Sequence, residues 1–534
     1  MQVEGIPFKQ TGYFSEIICD YLDEISALNP FYDRYPRLES FKEQLLEKQT
    51  NFPAENRIIL SNSLQGQYQG ATISKKTQSN ISLLKDQNTF TVVTGHQLNL
   101  FTGPLYFLYK IISAINLTQE LKKAYPEYNF VPVYWMATED HDFEEINYFN
   151  FRGKKLLWNK EVSGAVGRTS TEGLKAVYDM LTLEVGHGKN ADALKELFKK
   201  AYLDHDTLTK ATHFLANELF GTYGLVIIDG DDEPLKRLLT PYVRKDLLEN
   251  SSYSKVTETI SQLESCSPNY KIQVNPREIN YFYLKDDLRE RIIEKDGQFF
   301  INNTQHQFSK EEMLEELASH PERFSPNVIC RPLYQEIVLP NLCYIGGGGE
   351  LAYWLELKSF FKEMEIPFPM LLLRNSALLI TQKQEQKLQK MKLTVQDLFL
   401  HQNTFINKKI REISNIDIDF TPQRIHLKEQ FKGLYELAED TDPSFLGAVK
   451  AQEVKQLKGL NVLEKRLLKA QKRKLKDHVL RMTELQNELF PNKSLQERNR
   501  NFSELYLELG EDLIPSLMKS LRPLDSEFFL VRYS

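Results

Sequence analysis

The sequence predicts an α/β protein built on a parallel sheet, and three observations carry that expectation. Short apolar or β-branched runs at residues 90–93, 130–136 and 225–228 read as strands. Helical periodicity fills much of the chain between them, and strand–helix–strand repetition is what a parallel sheet requires. Each run ends in polar or acidic residues, and in open α/β sheets the carboxyl ends of the strands carry the ligand sites. A chain of 534 residues exceeds one ordinary hydrophobic core and implies about two to four domains.

Composition narrows the function classes. At 41% hydrophobic and 26% charged, the chain is an ordinary globular protein. A formal charge of -6 argues against a general nucleic-acid binder, which needs a strong excess of Lys and Arg. Cys19, Cys266, Cys330 and Cys343 are widely spaced with no CxxC pair, so neither disulfides nor a thiolate zinc site is expected and a reducing cytoplasm is the simplest compartment. No signal peptide and no bilayer-length apolar run is read, so no membrane partner is expected. No metal is expected either, since nothing matches HExxH or a zinc spacing.

In chain order, residues 1–60 read as short helices, Phe14–Leu28 and Leu38–Leu46 among them. The strand Phe90–Val93 is followed at once by Gly95, then by a second turn at Thr102, Gly103 and Pro104. A helix runs from Leu105 to about Lys123, with Pro104 at its first position and Thr102 as its cap. Such a glycine-containing connection either serves the turn alone or leaves N–H groups for an anion or carboxylate, with His96, Gln97 and Asn99 beside it. The spacing is neither GxGxxG nor a P-loop. Phe130–Met136 runs into Thr138-Glu139-Asp140-His141-Asp142-Phe143-Glu144-Glu145, dense in carboxylates around one histidine. These acids either form a site or stabilise the first turn of a following helix.

Residues 146–175 read as irregular β structure, and Leu174–Leu181, Ala191–Tyr202 and Leu208–Phe220 as helices. The strand Leu225–Ile228 ends in an acidic tip, Asp229–Asp232, and Lys236–Glu264 is helical. Tyr270–Val274 and Tyr281–Leu284 are expected strands with Asp286–Gly297 between elements, and Ser309–His320 is a helix. Arg331 and Pro332 precede an apolar helix to Leu339, and Leu342–Ile345 is a buried strand. The run Gly346–Gly349 then allows backbone to approach a ligand, at an entropic cost. Glu350 begins the next helix, and Phe368–Leu373 is a strand ending in Arg374. A helix over Lys450–Leu489, stopped by Pro491, carries an imperfect three-four repeat that predicts an antiparallel coiled coil with residues 378–400, or a subunit contact. Phe528–Val531 returns apolar material expected to close onto the main sheet.

The residues point to an α/β transferase or ligase acting on a small anionic substrate. Gly95 and Gly346–Gly349 would supply backbone donors, and Arg331 and Arg374 charge-assisted hydrogen bonds. His96 and His141 are the acid–base candidates, and Asp140, Asp142 or Glu350 would orient an amine. A helical scaffold that presents the coiled coil is the alternative class.

Thr94-Gly95-His96-Gln97, Leu100-Phe101-Thr102-Gly103-Pro104, Thr138-Glu139-Asp140-His141-Asp142, Ser325-Pro326-Asn327 with Arg331-Pro332, and Gly349-Glu350 together resemble the bacillithiol biosynthesis BshC family. The resemblance spans essentially the whole chain. It implies a Rossmann-like core similar to class I aminoacyl-tRNA synthetases and nucleotidyltransferases, with helical connective insertions and an antiparallel coiled coil that supports a homodimer. It maps the core onto residues 1–145, 221–240 and 325–380, connective insertions onto 146–220 and 241–324, the coiled coil onto 381–490 and a returning segment onto 491–534. The implied reaction joins L-cysteine to the glucosamine amine of glucosaminyl malate, and ATP or ADP is an implied ligand. The synthetase HxGH motif is represented only by Gly95-His96-Gln97, and no KMSKS-type lysine loop is present.

Together these readings predict one pocket lined by residues 94–104, 138–142 and 346–350. His96, Asp140 and His141 would be catalytic there. Thr94, Gly95, Gln97, Asn99, Thr102, Gly103 and Asp142 would bind substrate, as would Asn327, Arg331, Gly347, Gly348, Gly349, Glu350 and Arg374.

Overall fold

A computed structural model describes residues 1–533. The chain forms two compact units, Met1–Leu379 with the segment from Leu495 onward, and Ile380–Ser494.

The first unit is centred on five parallel strands, β1 (Thr89–His96), β2 (Asn129–Met136), β3 (Val226–Asp229), β4 (Asn341–Gly346) and β5 (Met370–Leu373). Their spatial order is β5-β4-β1-β2-β3. The chain therefore builds outward from β1 to β3, then returns to the other side of β1 for β4 and β5. This is the doubly wound, Rossmann-like order, and its switch point lies between β1 and β4. Every residue of β1 is buried, as expected of a parallel strand covered on both faces. Phe90, Val92 and Ile345 share one core with Ala114 and Leu117 of α1 (Tyr106–Ala124), the crossover from β1 to β2.

Several boundaries differ from the sequence expectation. β1 continues through Gly95 and His96, whose register matches Trp135 and Met136. Thr102 is not the cap of α1 and Pro104 is not its first residue, because residues 100–102 form a separate tight turn in which Phe101 and Thr102 adopt positive φ. Asn501 fastens that turn, its Nδ2 donating to the carbonyls of Phe101 and Gly103 at 2.7 Å each. Tyr270–Val274 is irregular, whereas Leu288–Lys295 is a strand in an antiparallel sheet ordered 307–308, 298–301, 288–295, 281–285, 324–326. Its charged sequence hides it; pairing on both sides overrides propensity. The returning strand Glu527–Tyr533 does not join the main sheet. It pairs antiparallel with Gln2–Pro7 and lies beside Ser376–Thr381 in a sheet of three.

The first unit also contains α2 (Glu233–Glu249), α3 (Cys330–Val338) and α4 (Gly348–Leu355). In the second unit, α5 (Gln402–Ile413) is followed by α6 (Thr421–Glu439) and α7 (Pro443–Lys474). Tyr435 donates to Glu453, and Arg424 pairs with Glu464 at 2.5 Å, so α6 and α7 run antiparallel. The coiled-coil partner of α7 is thus α6, whereas residues 378–400 meet the later part of the expected helix, where Lys387 pairs with Glu488 and Gln486 donates to the Leu398 carbonyl. Those residues form short pieces, Gln382–Lys390 and Val395–Leu398. The long helix also breaks at Leu475, beyond which α8 (Lys476–Leu489) begins. Among the described residues no helix is long and apolar enough to cross a membrane, and all four cysteines are free.

The back of the main sheet is fixed by a buried ion pair. Lys48 Nζ lies 3.0 Å from Glu336 of α3, and both side chains are essentially inaccessible. Asn341, at the start of β4, donates to the same carboxylate at 2.6 Å. Replacing Lys48 alone leaves a buried charge uncompensated, so Lys48→Met is expected to cost about 3–5 kcal/mol. Denaturant unfolding reads the loss, and the double variant Lys48→Met/Glu336→Gln is expected to recover part of it.

Candidate active site

A cavity of about 1060 Å³ opens at the carboxyl ends of β1, β2 and β4, at the switch point of the sheet. Gly95 and His96 enter it from the end of β1, and Gly347–Gly349 from the connection between β4 and α4. None of the four consecutive glycines has positive φ. At Gly346 an added Cβ would lie 2.8 Å from Leu351 and 2.9 Å from the Tyr344 ring, whereas Gly347, Gly348 and Gly349 have more room. The last three therefore leave the backbone of the α4 amino terminus bare toward the cavity.

Glu350 organises the floor. Its Oε2 accepts from the Gly347 N–H at 2.8 Å and lies 2.6 Å from Lys110 Nζ, while its Oε1 accepts from the Tyr344 hydroxyl at 2.7 Å. Lys110, projecting from α1, also donates to the Gly95 carbonyl at 2.7 Å. Burial pushes the Glu350 carboxyl up, but Lys110, the Gly347 N–H and the Tyr344 hydroxyl outweigh it and hold it below the ordinary carboxylate value. Burial lowers the Lys110 ammonium despite the opposing pull of Glu350. Gly95 makes this geometry feasible, because a Cβ there would sit 3.2 Å from the Tyr344 hydroxyl.

Two arginines and a histidine complete the floor. Arg374 pairs through Nη2 with the buried Glu497 at 2.7 Å and stacks 4.8 Å above the Tyr106 ring, while its Nε has no partner. Arg331 donates to Gln335 at 3.0 Å, and its buried Nη2 has no partner. The His96 ring lies against Tyr106 and Phe107, and its buried Nε2 is likewise unpartnered. Burial, with Lys110 and Arg374 nearby, holds the imidazole well below its ordinary value, so it is neutral and offers at most one N–H. Buried nitrogens on three cavity-lining residues thus have no protein partner, which leaves them available to a bound ligand.

The rim has the opposite charge. Gln97 Nε2 donates to Asp140 at 2.9 Å and to Glu145 at 3.0 Å, fixing the turn after β2. The His141 backbone N–H closes onto Asp140 Oδ1 at 2.8 Å. Arg289 donates to His141 Nδ1, which leaves the proton of the neutral ring on Nε2. Ligand atoms of Asp140, His141 and Asp142 lie within 4.8 Å of one another, but the adjacent guanidinium opposes a cation there. Glu139 is committed to the buried Lys236. Behind the rim, burial first and then Asp231 push the Asp229 carboxyl up to about 7.

An irregular strap over residues 271–279 forms the remaining wall, and Glu356 anchors it. The Gln273 and Val274 N–H groups donate to the two Glu356 oxygens at 2.7 and 3.3 Å. Burial pushes this carboxyl up to about 7 despite those donors. Asn327 Nδ2 donates to Asn280 at 2.9 Å, and its Oδ1 accepts from the N–H groups of Ile329 and Cys330 at the start of α3.

Comparison with known proteins places this geometry. The model of the bacillithiol biosynthesis BshC N-terminal Rossmann-like domain matches residues 1–375, and that of the BshC C-terminal coiled-coil domain matches residues 377–533. The chain belongs to the BshC family. A relative from Flavobacterium johnsoniae named "Putative cysteine ligase BshC" is 60% identical, over 99% of this chain and 100% of its own. Relatives of the same name from Christiangramia forsetii and Flavobacterium psychrophilum are 59% and 54% identical, each covering 100% of this chain and at least 99% of its own. The family's Rossmann-like and coiled-coil parts correspond to the doubly wound sheet and the α6–α7 hairpin.

The cavity gathers most of the residues singled out in the sequence. Gly95, His96 and Gln97 line it with Asp140, His141 and Asp142. So do Asn327, Arg331 and Arg374, with Gly347, Gly348, Gly349 and Glu350. Thr94, Asn99, Thr102 and Gly103 do not. Thr94 Oγ1 donates to the Ile345 carbonyl at 2.8 Å, clasping β1 to β4, and Asn99 Nδ2 donates to the Glu145 carbonyl at 3.2 Å. Thr102 and Gly103 belong to the tight turn fastened by Asn501, which the longer β1 carries past the crevice. Lys110, Tyr344, Arg289 and Glu356 escaped the sequence reading. Lys110 alone leaves a signal there, as one cation inside the apolar helix LYFLYKIISAINL.

The raised carboxyls give stability a definite pH dependence. Glu356 and Asp229 hold protons in the folded state between their ordinary values and about 7, where the unfolded chain has lost them. Their contribution is therefore complete at low pH and disappears as pH rises through 7. Glu356→Gln is expected to flatten the decline in denaturant midpoint between pH 5 and 8, removing a slope of up to about 1.4 kcal/mol per pH unit. A variant with the wild-type slope would show that this carboxyl is ionised throughout.

Proposed function

We propose that the chain is an amide-forming ligase that joins the carboxyl of L-cysteine to the glucosamine amine of glucosaminyl malate. The observation that carries this reading is the polarity of the cavity. His96, Arg331 and Arg374 line its floor with unpartnered nitrogens beside the Lys110–Glu350 pair, while Asp140 and Asp142 line its rim. Carboxylates of malate and cysteine suit the first region, and amines suit the second. The names carried by the relatives support the same assignment.

The residues then take distinct roles. His96 donates one hydrogen bond to a carboxyl oxygen, and its neutrality lets it do so without a strong ion pair to the ground state. Arg331 and Arg374 orient carboxylates through their unpartnered nitrogens. Asp140, already turned by Gln97, orients the amine; Arg289 occupies His141 Nδ1, which leaves only the other ring nitrogen of His141 for a substrate. In the amide-forming step the amine attacks an activated cysteinyl carbonyl. A C–N bond forms, the C–O bond to the activating group breaks, and one amine proton departs toward the acidic rim. A free carboxylate does not condense with an amine in water, so activation precedes this step.

Removing a donor aimed at developing charge typically costs 10²–10³ in rate. His96→Ala is therefore expected to lower kcat/KM for conversion of glucosaminyl malate and cysteine by about 100-fold. Unchanged turnover in a folded variant removes His96 from the machinery.

We also propose that the chain is a homodimer through the second unit. Leu437 and Val454, on α6 and α7, are each 59% exposed, and Ile425, Val462 and Leu463 on the same hairpin are exposed as well. Apolar side chains left bare on a helical hairpin favour a partner helix. Light scattering is expected to give twice the chain mass for the wild type and the chain mass for Leu437→Glu/Val454→Glu; a wild-type monomer refutes the assignment.

A further inference from the structure

The cavity carries a second cationic region, of which the roles above use only Arg289, at His141. Strands 281–285 and 288–295 pair antiparallel with Phe282 opposite Arg291 and Leu284 opposite Arg289. Residues two apart on a strand share a face, and Phe282, Arg289 and Arg291 all line the cavity. Glu290, on the other face, takes its hydrogen bonds from Asn303. Arg277 joins the same wall from the strap, where its backbone N–H is fixed by Asn280 Oδ1 at 3.1 Å.

These three arginines differ from the cations of the floor. Lys110 is neutralised by Glu350 and Arg374 by Glu497. Among the described residues, the guanidinium groups of Arg277 and Arg291 have neither a hydrogen bond nor an ion pair. Arg289 is held in place instead, 4.0 Å above the Phe282 ring, with its Nε donating to Ser325 at 3.1 Å, its Nη1 to His141 Nδ1 and its Nη2 to the Pro326 carbonyl at 3.4 Å, so each nitrogen keeps at most part of its donor capacity for a ligand. A protein of formal charge -6 thus places two uncommitted guanidinium groups, Arg277 and Arg291, beside the anchored Arg289 on one wall of its cavity. Planar guanidinium groups match phosphate oxygens in pairs and keep their charge at any working pH.

We propose that Arg277, Arg289 and Arg291 form a phosphate-binding wall that takes the triphosphate chain of a nucleoside triphosphate. The choice of that ligand rests on the ligase reading, since condensation of a free carboxylate needs such a co-substrate. The floor then remains free for the carboxylates, and the two anionic partners bind at opposite sides of the amine-orienting rim.

Titration calorimetry on the full chain tests the wall, with ATP, inorganic triphosphate and L-malate as separate probes. Arg277→Gln/Arg291→Gln is expected to weaken ATP and inorganic triphosphate by about tenfold or more, since charge-assisted hydrogen bonds are lost. L-Malate affinity is expected to stay unchanged, which also reports an intact fold. The proposal is overturned if the wild type binds neither phosphate probe, or if the double variant binds both as the wild type does. Turnover separates the two readings. Wall-dependent ATP binding without amide product defeats the ligase assignment alone, and wild-type amide formation by the double variant defeats the wall alone.

Discussion

One ammonium group holds the switch point together. Lys110 leaves α1 and meets both the Gly95 carbonyl at the end of β1 and Glu350 at the start of α4. Those backbone segments are otherwise free to diverge, because a doubly wound chain sends its crossovers away on either side of this point. Burying an ammonium is costly unless its partners are close and complete. The contact therefore sets the separation between β1 and α4, and with it the position of His96 relative to the bare backbone at Gly348 and Gly349.

The remaining electrostatics follow from that separation. Glu350 is spent on Lys110, Tyr344 and Gly347, so it does not neutralise Arg331, and Glu497 takes only one edge of Arg374. What is left over is unpaired donor capacity rather than a set of closed salt bridges. On the other side, Gln97 holds Asp140 without quenching its charge. The cavity thus separates donors from acceptors across a short span, an arrangement suited to holding a carboxyl and an amine apart until one is activated.

Much of the fold is legible in the sequence, and the reasons for the exceptions are physical. β1, β2, β3 and β4 announce themselves as apolar runs because parallel strands are buried on both faces. Leu288–Lys295 does not, since its residues are charged and its pairing comes from neighbours distant from any local pattern. The three-four repeat of α7 identifies a helix that wants a partner, but periodicity is silent on which helix answers, and α6 does so through Glu464 and Arg424. At the site, glycines and acidic tips stand out by composition, whereas Lys110 and Glu356 act through tertiary reach. Thr94, Asn99, Thr102 and Gly103 share the motif-like neighbourhood of His96, yet they build the clasp and turn that hold it.

The pairing of Gln2–Pro7 with Glu527–Tyr533 bears on biogenesis. The earlier of these strands leaves the ribosome more than 500 residues before its complement, and loop closure over such a span delays contact formation. Throughout translation that short ribbon has an unsatisfied edge, a template for any passing extended chain. The lone glutamate at position 4, facing Arg532 in the finished sheet, keeps a charge on that waiting edge and so discourages premature association on the polysome.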